Sequence, residues 1–247
     1  MIITTLHKEP TALDTVLHRD LRLKNELTVT HLLAPFTSFM ITLSEFAEAA
    51  LSFPILFVRA SPEGADKEVV APVAVFGLKQ GENLFAKGDR WDAPYMPAML
   101  RAYPFTMARI EGSDRWAMVF DNTWAGMSRT EGQPLFDDKG EATELLDNVH
   151  KFVQDLETDI ERTRQACALL IEMKLLKPMR FDATMANGET LSVDGFLTLD
   201  DEAMGKLGDA ELAQMYRNGL MFILQTHQVS LNNMRRLLDR RLALQKA

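Results

Sequence analysis

The chain has 247 residues, 47% hydrophobic and 25% charged, enough for one large or two small domains and unlike the composition of a disordered chain. Its formal net charge of −8 repels phosphate backbones, and the densest basic segment, Arg235, Arg236, Arg240 and Arg241, reads as the solvated face of a helix, so nucleic-acid binding is not expected. One cysteine, Cys167, excludes an intrachain disulfide and any multi-cysteine metal site.

The N-terminus lacks the basic start, apolar stretch and small-residue cleavage site of a secretory signal. Together with the lone cysteine this gives a cytoplasmic expectation. Residues 1 to 30 are polar and show no firm period. Residues 35–43 favour a strand, Ser44 suits the N-cap of a short helix through Glu45, Phe46, Ala49 and Ala50, and residues 54–59 read as the next strand. An exposed turn over 61–68 leads into a strand at 72–78. Two further strands, 105–110 and 116–120, are joined by Glu111-Gly112-Ser113-Asp114, a connection of hairpin length that leaves no room for a crossover helix, so the sheet is antiparallel. The most apolar stretches, 32–43, 53–58 and 219–224, fall far short of the roughly 20 residues of a membrane-spanning helix.

From 141 to 176 the pattern turns helical, with Leu145, Val149, Phe152, Leu156, Ile160, Thr163, Cys167 and Leu170 on one stripe. Cys167 on that stripe reads as a packed thiol rather than a reactive nucleophile. Asn187-Gly188 between alternating residues marks a type I′ hairpin. Asp200 can cap a short helix ended by Gly208, and Asp209 a second helix running toward Leu244, with Leu212, Tyr216, Leu220, Ile223, His227, Leu231, Met234 and Leu238 on its apolar stripe. If continuous, each long helix is on the order of 50 Å; either they break, or they project and bury the stripe on each other or on a second subunit, which makes a homodimer a reasonable expectation. The fold class is α+β: an antiparallel sheet in the N-terminal half, two long C-terminal helices and an intervening β-hairpin. It reads as one domain over 1–247, with 1–140 mainly sheet-forming and 141–247 mainly helical.

The common nucleotide, hydrolase and zinc signatures are missing, and the five histidines, His7, His18, His31, His150 and His227, show no i, i+4 pairing. No cofactor, metal or catalytic residue is assigned. The densest chemistry lies in residues 83–105, which concentrate Asn83, Phe85, Trp91, Tyr95, Arg101, Tyr103 and Phe105. Pro97 can start a helical turn there and Pro104 ends it. This block is either a rigid aromatic platform for a peptide or small ligand, or a structural loop packed over the sheet. His227 is either a satisfied core histidine or a proton-transfer group, for which a carboxylate such as Glu45 is needed. The candidate binding set is therefore Asn83, Phe85, Trp91, Tyr95, Arg101, Tyr103 and His227.

The segment Gly81-Glu-Asn-Leu-Phe-Ala-Lys-Gly-Asp-Arg-Trp-Asp-Ala-Pro-Tyr-Met-Pro-Ala-Met-Leu-Arg-Ala-Tyr-Pro-Phe resembles the signature of the SapC family. Glu45-Phe46, Ala49-Ala50 and Phe53-Pro54-Ile55-Leu56-Phe57 upstream, and Pro134-Leu135-Phe136-Asp137, Asp194-Gly195-Phe196, His227 and Ser230-Leu231 downstream, fit that family in order and spacing. Phe53 replaces a usual Tyr, and Ala102 interrupts a common Arg-Arg pair. The family meant is the bacterial surface-layer-associated one, not the transporter permease of the same name. The resemblance implies a link to surface layers and genes near halogenase-like and cupin-like enzymes, and no established catalytic residues. The expected function is a non-catalytic cytoplasmic accessory protein that binds a polypeptide or an enzyme partner of the halogenase-like or cupin-like kind. The alternative is an enzyme of unrecorded chemistry whose pocket joins the aromatic block to His227.

Overall fold

A computed structural model describes residues 2–24, 30–61, 67–88, 90–110, 112, 114–184 and 190–244. In chain order the elements are β1 (Pro10–Ala12), β2 (Arg22–Leu23), α1 (Thr30–Leu33), β3 (Ser38–Met40), a 3-10 turn (Leu43–Glu45), α2 (Phe46–Ala49), β4 (Ile55–Arg59) and β5 (Val70–Val75). Then come β6 (Ala86–Lys87), β7 (Arg90–Trp91), α3 (Ala98–Ala102), β8 (Phe105–Arg109), β9 (Trp116–Asp121), β10 (Met127–Ser128) and β11 (Gln133–Pro134). The C-terminal part holds α4 (Glu144–Glu172), β12 (Leu176–Thr184), β13 (Thr190–Leu199), α5 (Asp201–Met204), α6 (Asp209–Arg217), α7 (Leu220–Ser230) and α8 (Asn233–Leu244). Helices and antiparallel sheets both contribute, so the α+β class holds. The chain separates into two compact units, Met1–Leu32 with Ala98–Thr158, and Leu33–Pro97 with Asp159–Ala247.

In the first unit, β8 and β9 form the hairpin expected from their spacing, in register from Phe105 opposite Phe120 to Arg109 opposite Trp116. β1 adds to the other edge of β9, a strand that residues 1 to 30 do not announce because it is three residues long. What holds it there is Asp121: its carboxylate accepts the N–H groups of Lys8 and Glu9 at 3.1 Å each, the Tyr103 hydroxyl at 2.8 Å and the Thr123 hydroxyl at 2.8 Å. Burial opposes ionisation of this group, but the hydrogen bonds outweigh it and hold the carboxyl at about 2.

In the second unit a five-stranded antiparallel sheet runs in the order β12-β13-β4-β5-β3. β4 and β5 are buried along most of their length, which explains their unbroken apolar sequence. The β12–β13 hairpin is formed as its flanks predict, closing with Thr184 opposite Thr190; Asn187-Gly188 lies outside the described residues. Thr42, not Ser44, opens the short helical segment: Glu45 reaches back to accept the Thr42 N–H at 2.7 Å, the reciprocal half of a capping box. Asp200 caps α5 as expected, accepting the Glu202 N–H.

α4 is the long helix read from the 141–176 stripe, 29 residues in the structure. Its stripe buries Leu156, Thr163, Cys167 and Leu170, and burial raises the Cys167 thiol to about 12, which makes it an inert packed group. The second long helix is instead three helices. It breaks at Asn218-Gly219, where Gly219 takes φ 81°, and again between Ser230 and Asn233. α7 still buries Leu220 and His227 and α8 buries Met234, as the stripe predicts, whereas Tyr216 of α6, predicted on the same stripe, is 79% exposed.

Candidate functional site

The candidate residues of the 83–105 block are tied into the framework. Asn83 accepts the N–H groups of Phe85 and Ala86 at 3.0 and 3.1 Å and donates to the Leu33 carbonyl at 2.9 Å, so its side chain shapes the turn entering β6. Phe85 is buried and packs edge-on against Phe53 at 4.8 Å. Trp91 joins the same cluster, 5.2 Å from Phe76 and 6.0 Å from Phe53, and its indole N–H donates to the Tyr95 carbonyl at 2.7 Å. Tyr95 donates its hydroxyl to Glu45 Oε1 at 2.7 Å.

α8 locks this cluster from outside. The Arg240 guanidinium lies 4.4 Å over the Phe85 ring and bonds Asp92 at 3.0 Å, while Arg241 is buried and paired with Glu82. Lys87, then Arg240 and Arg90, hold the Asp92 carboxyl at about 2. The C-terminal arginines therefore do more than face solvent: two of the four clamp the β6–β7 hairpin.

Arg101 and Tyr103 belong to the other unit. Arg101 lies 5.1 Å over the Phe152 ring. Tyr103 is buried against His7 at 5.6 Å and serves the Asp121 cluster; burial and that hydrogen bond push its hydroxyl pKa up.

His227 is fully buried. Its Nδ1 donates to the Ile55 carbonyl at 2.7 Å, and its Nε2 accepts from the Thr198 hydroxyl at 2.9 Å and the Leu199 N–H at 3.3 Å; these partners require the neutral ring. Burial lowers its pKa to about 4. Three residues on, Ser230 accepts the Ile55 N–H at 2.9 Å, and Asn233 donates to the carbonyls of Ala50 and Phe53 at 2.7 and 3.0 Å. Strand β13 pairs with β4 only through Phe196 and Leu197, so Ile55 lies beyond that ladder, and the polar stripe of α7 satisfies the backbone groups left over. His227 has no carboxylate bonded to it among the described residues, and Glu45 serves Thr42 and Tyr95.

An open concavity lies elsewhere in the second unit. A cleft of about 660 Å³ is lined by Leu43 and Ala47 from the 3-10 turn and α2, Ala166 and Leu169 from α4, and Phe222 and Ile223 from α7. Its polar groups are already engaged: Ser44 donates to Asp159 at 2.8 Å, Arg162 to Asp159 at 3.3 Å, Gln165 to Glu161 at 3.0 Å, and Asn218 accepts the Leu220 N–H at 3.0 Å. Phe222 is 57% exposed and Val229, two turns on, 65%. None of these lining residues is in the candidate set read from sequence. Residues 219–230 carry no Asp, Glu, Lys or Arg, but Gln225, Thr226, His227, Gln228 and Ser230 interrupt the apolar run, so no local pattern announces the cleft. No three His, Cys, Asp or Glu side chains are grouped to hold a metal, and no helix is long and apolar enough to cross a membrane, among the described residues.

Fold and site together define an α+β protein with a filled aromatic cluster and an open, mainly apolar cleft. The SapC family model matches residues 13–237, and the chain belongs to that family. No curated protein and no solved structure matches it.

Proposed function

We propose that this SapC-family chain is a non-catalytic binding protein of the cytoplasm that receives an apolar segment of polypeptide in the cleft between α2, α4 and α7. The observation that carries this is an open cleft whose lining is mainly apolar and whose polar side chains each make a bond within the fold, which suits a hydrophobic segment better than a reacting polar substrate. The aromatic block and His227 support the same reading by what they do: their polar atoms hold backbone and side chains in place. A halogenase-like or cupin-like enzyme is the first partner to test.

A photo-crosslinking phenylalanine analogue placed at Phe222 tests it. The expected outcome is a discrete crosslinked polypeptide, lost when Ala166→Trp fills the cleft while the circular dichroism spectrum is retained. No crosslink to any polypeptide, or crosslinks unchanged by Ala166→Trp, overturns the reading.

A further inference from the structure

The end of β4, the start of β5 and the last turns of α4 enclose a second, smaller pocket of about 150 Å³, closed by the first residue of β12 and by Leu197 of β13. Its floor is aliphatic: Val70, Leu170 and Leu197 are buried, and Ile171 and Leu176 are half-buried. It shares no lining residue with the cleft between α2, α4 and α7. An apolar cavity of that volume takes a group the size of benzene, about six non-hydrogen atoms.

The remaining lining is charged. Arg59, Glu68 and Lys174 are all exposed, so the charge sits at the mouth and the aliphatic surface lies below it. Arg59 donates from Nε to Glu68 Oε1 at 2.8 Å, which leaves the two terminal nitrogens of its guanidinium without a bond among the described residues. The Lys174 ammonium makes no hydrogen bond or ion pair among the described residues either. Two cations against one carboxylate leave the mouth with an excess of one positive charge.

Lys174 is also the only non-glycine residue with a positive φ, 53°, among the described residues. It ends α4 where Leu175 donates to the Leu170 carbonyl at 3.0 Å, a left-handed closing position that glycine occupies without steric cost. A lysine held there against backbone preference, beside a pocket, points to use of its side chain.

We propose that this pocket binds a short aliphatic monocarboxylate of the size of butyrate, with its tail on Val70, Leu170 and Leu197 and its carboxylate between the Lys174 ammonium and the unbonded edge of the Arg59 guanidinium. A dianion is too polar for the aliphatic floor, and an amine meets the wrong charge. A ligand of about six non-hydrogen atoms held this way dissociates at a concentration on the order of 1 mM.

The test is a methyl-resolved NMR titration of the full chain with sodium butyrate from about 0.1 to about 20 mM at constant ionic strength, which brackets that constant. Saturable shifts of the Val70 and Leu197 methyls are expected. n-Butylamine, with the opposite charge, and acetate, with almost no tail, each bind at least about tenfold more weakly. Lys174→Gly suits the left-handed backbone and so retains the fold; it weakens butyrate about tenfold, the loss of one charge-assisted hydrogen bond, without lowering the melting temperature. Lys174→Arg keeps the charge and retains binding. No shift up to the highest concentration, butylamine or acetate equal to butyrate, or an affinity indifferent to Lys174→Gly overturns the inference. A peptide ending in valine that shifts these methyls where free butyrate does not also overturns it, and marks the pocket as a site for a chain terminus. None of these outcomes bears on crosslinking from Phe222, so the pocket and the cleft fail or stand separately.

Discussion

The two faces of α7 are both mixed. Its inner face buries His227 and Ser230 beside Leu220 and Leu224, and its outer face exposes Phe222 and Val229 beside Gln225 and Gln228. The inner polar groups are there because β4 continues past its pairing with β13, and Ile55 needs both a donor and an acceptor, which His227 and Ser230 supply. An apolar residue at either position leaves a buried backbone group unpaired. On the outer face Phe222 forms part of the cleft wall, and Val229 is 65% exposed. The inner face is therefore tied to stability, and the outer face is the side on which the proposed binding is tested.

The largest effect is expected at His227. His227→Ala removes the partners of the Ile55 carbonyl, the Thr198 hydroxyl and the Leu199 N–H and opens a cavity, for a loss of about 4 kcal/mol in urea unfolding. The pH dependence follows with its sign fixed by burial. The folded imidazole titrates at about 4 and the unfolded one near 6.5, so the unfolded state takes up the proton first. The stability contributed is complete above about 6.5 and lost as pH falls to about 4, amounting to about 3 kcal/mol. His7, whose pKa burial also lowers, adds to the same acid loss, so His227→Gln flattens the profile only in part.

Trp91→Ala is expected to cost about 2 kcal/mol through lost ring packing and the lost bond to the Tyr95 carbonyl. If Trp91→Ala instead leaves the melting temperature unchanged and abolishes partner binding, the aromatic block belongs with the outer face as a recognition surface. Ser230→Ala, which leaves the Ile55 N–H unpaired, is expected to cost about 1.5 kcal/mol. Phe222→Ser closes the series: thermal unfolding shifts by less than about 0.5 kcal/mol, as for an exposed side chain, while capture of a partner polypeptide falls. A large stability loss there breaks the division between the two faces.

The hairpins were legible because their signals are local. Turn residues and alternating apolar positions between nearby strands, as at 105–120 and 176–199, leave one simple pairing. Residues 141–176 were legible for the same reason, since a 3.6-residue period is repeated over eight turns. The break at Asn218-Gly219 was not, because the apolar period runs on through it and only the positive φ of Gly219 interrupts the helix. β1 escaped notice because it depends on Asp121, more than a hundred residues away. The aromatic block stood out as unusual, but the features that made it conspicuous, Asn83, Trp91 and Tyr95, are spent on the turn and on Glu45. The cleft was invisible because its walls come from three separated segments of ordinary Leu, Ala and Ile.

By itself the sequence determined the α+β class, the antiparallel hairpins, the long helix and the SapC family, all of which follow from local period, turn chemistry or motif order. The apolar spacing already placed His227 on the buried side of its helix and Phe222 off it; tertiary structure alone decided that His227 bonds the Ile55 carbonyl, that the helix breaks at Gly219 and that three distant segments meet at the cleft. Those outcomes depend on long-range backbone and packing partners, which the spacing of apolar residues does not encode.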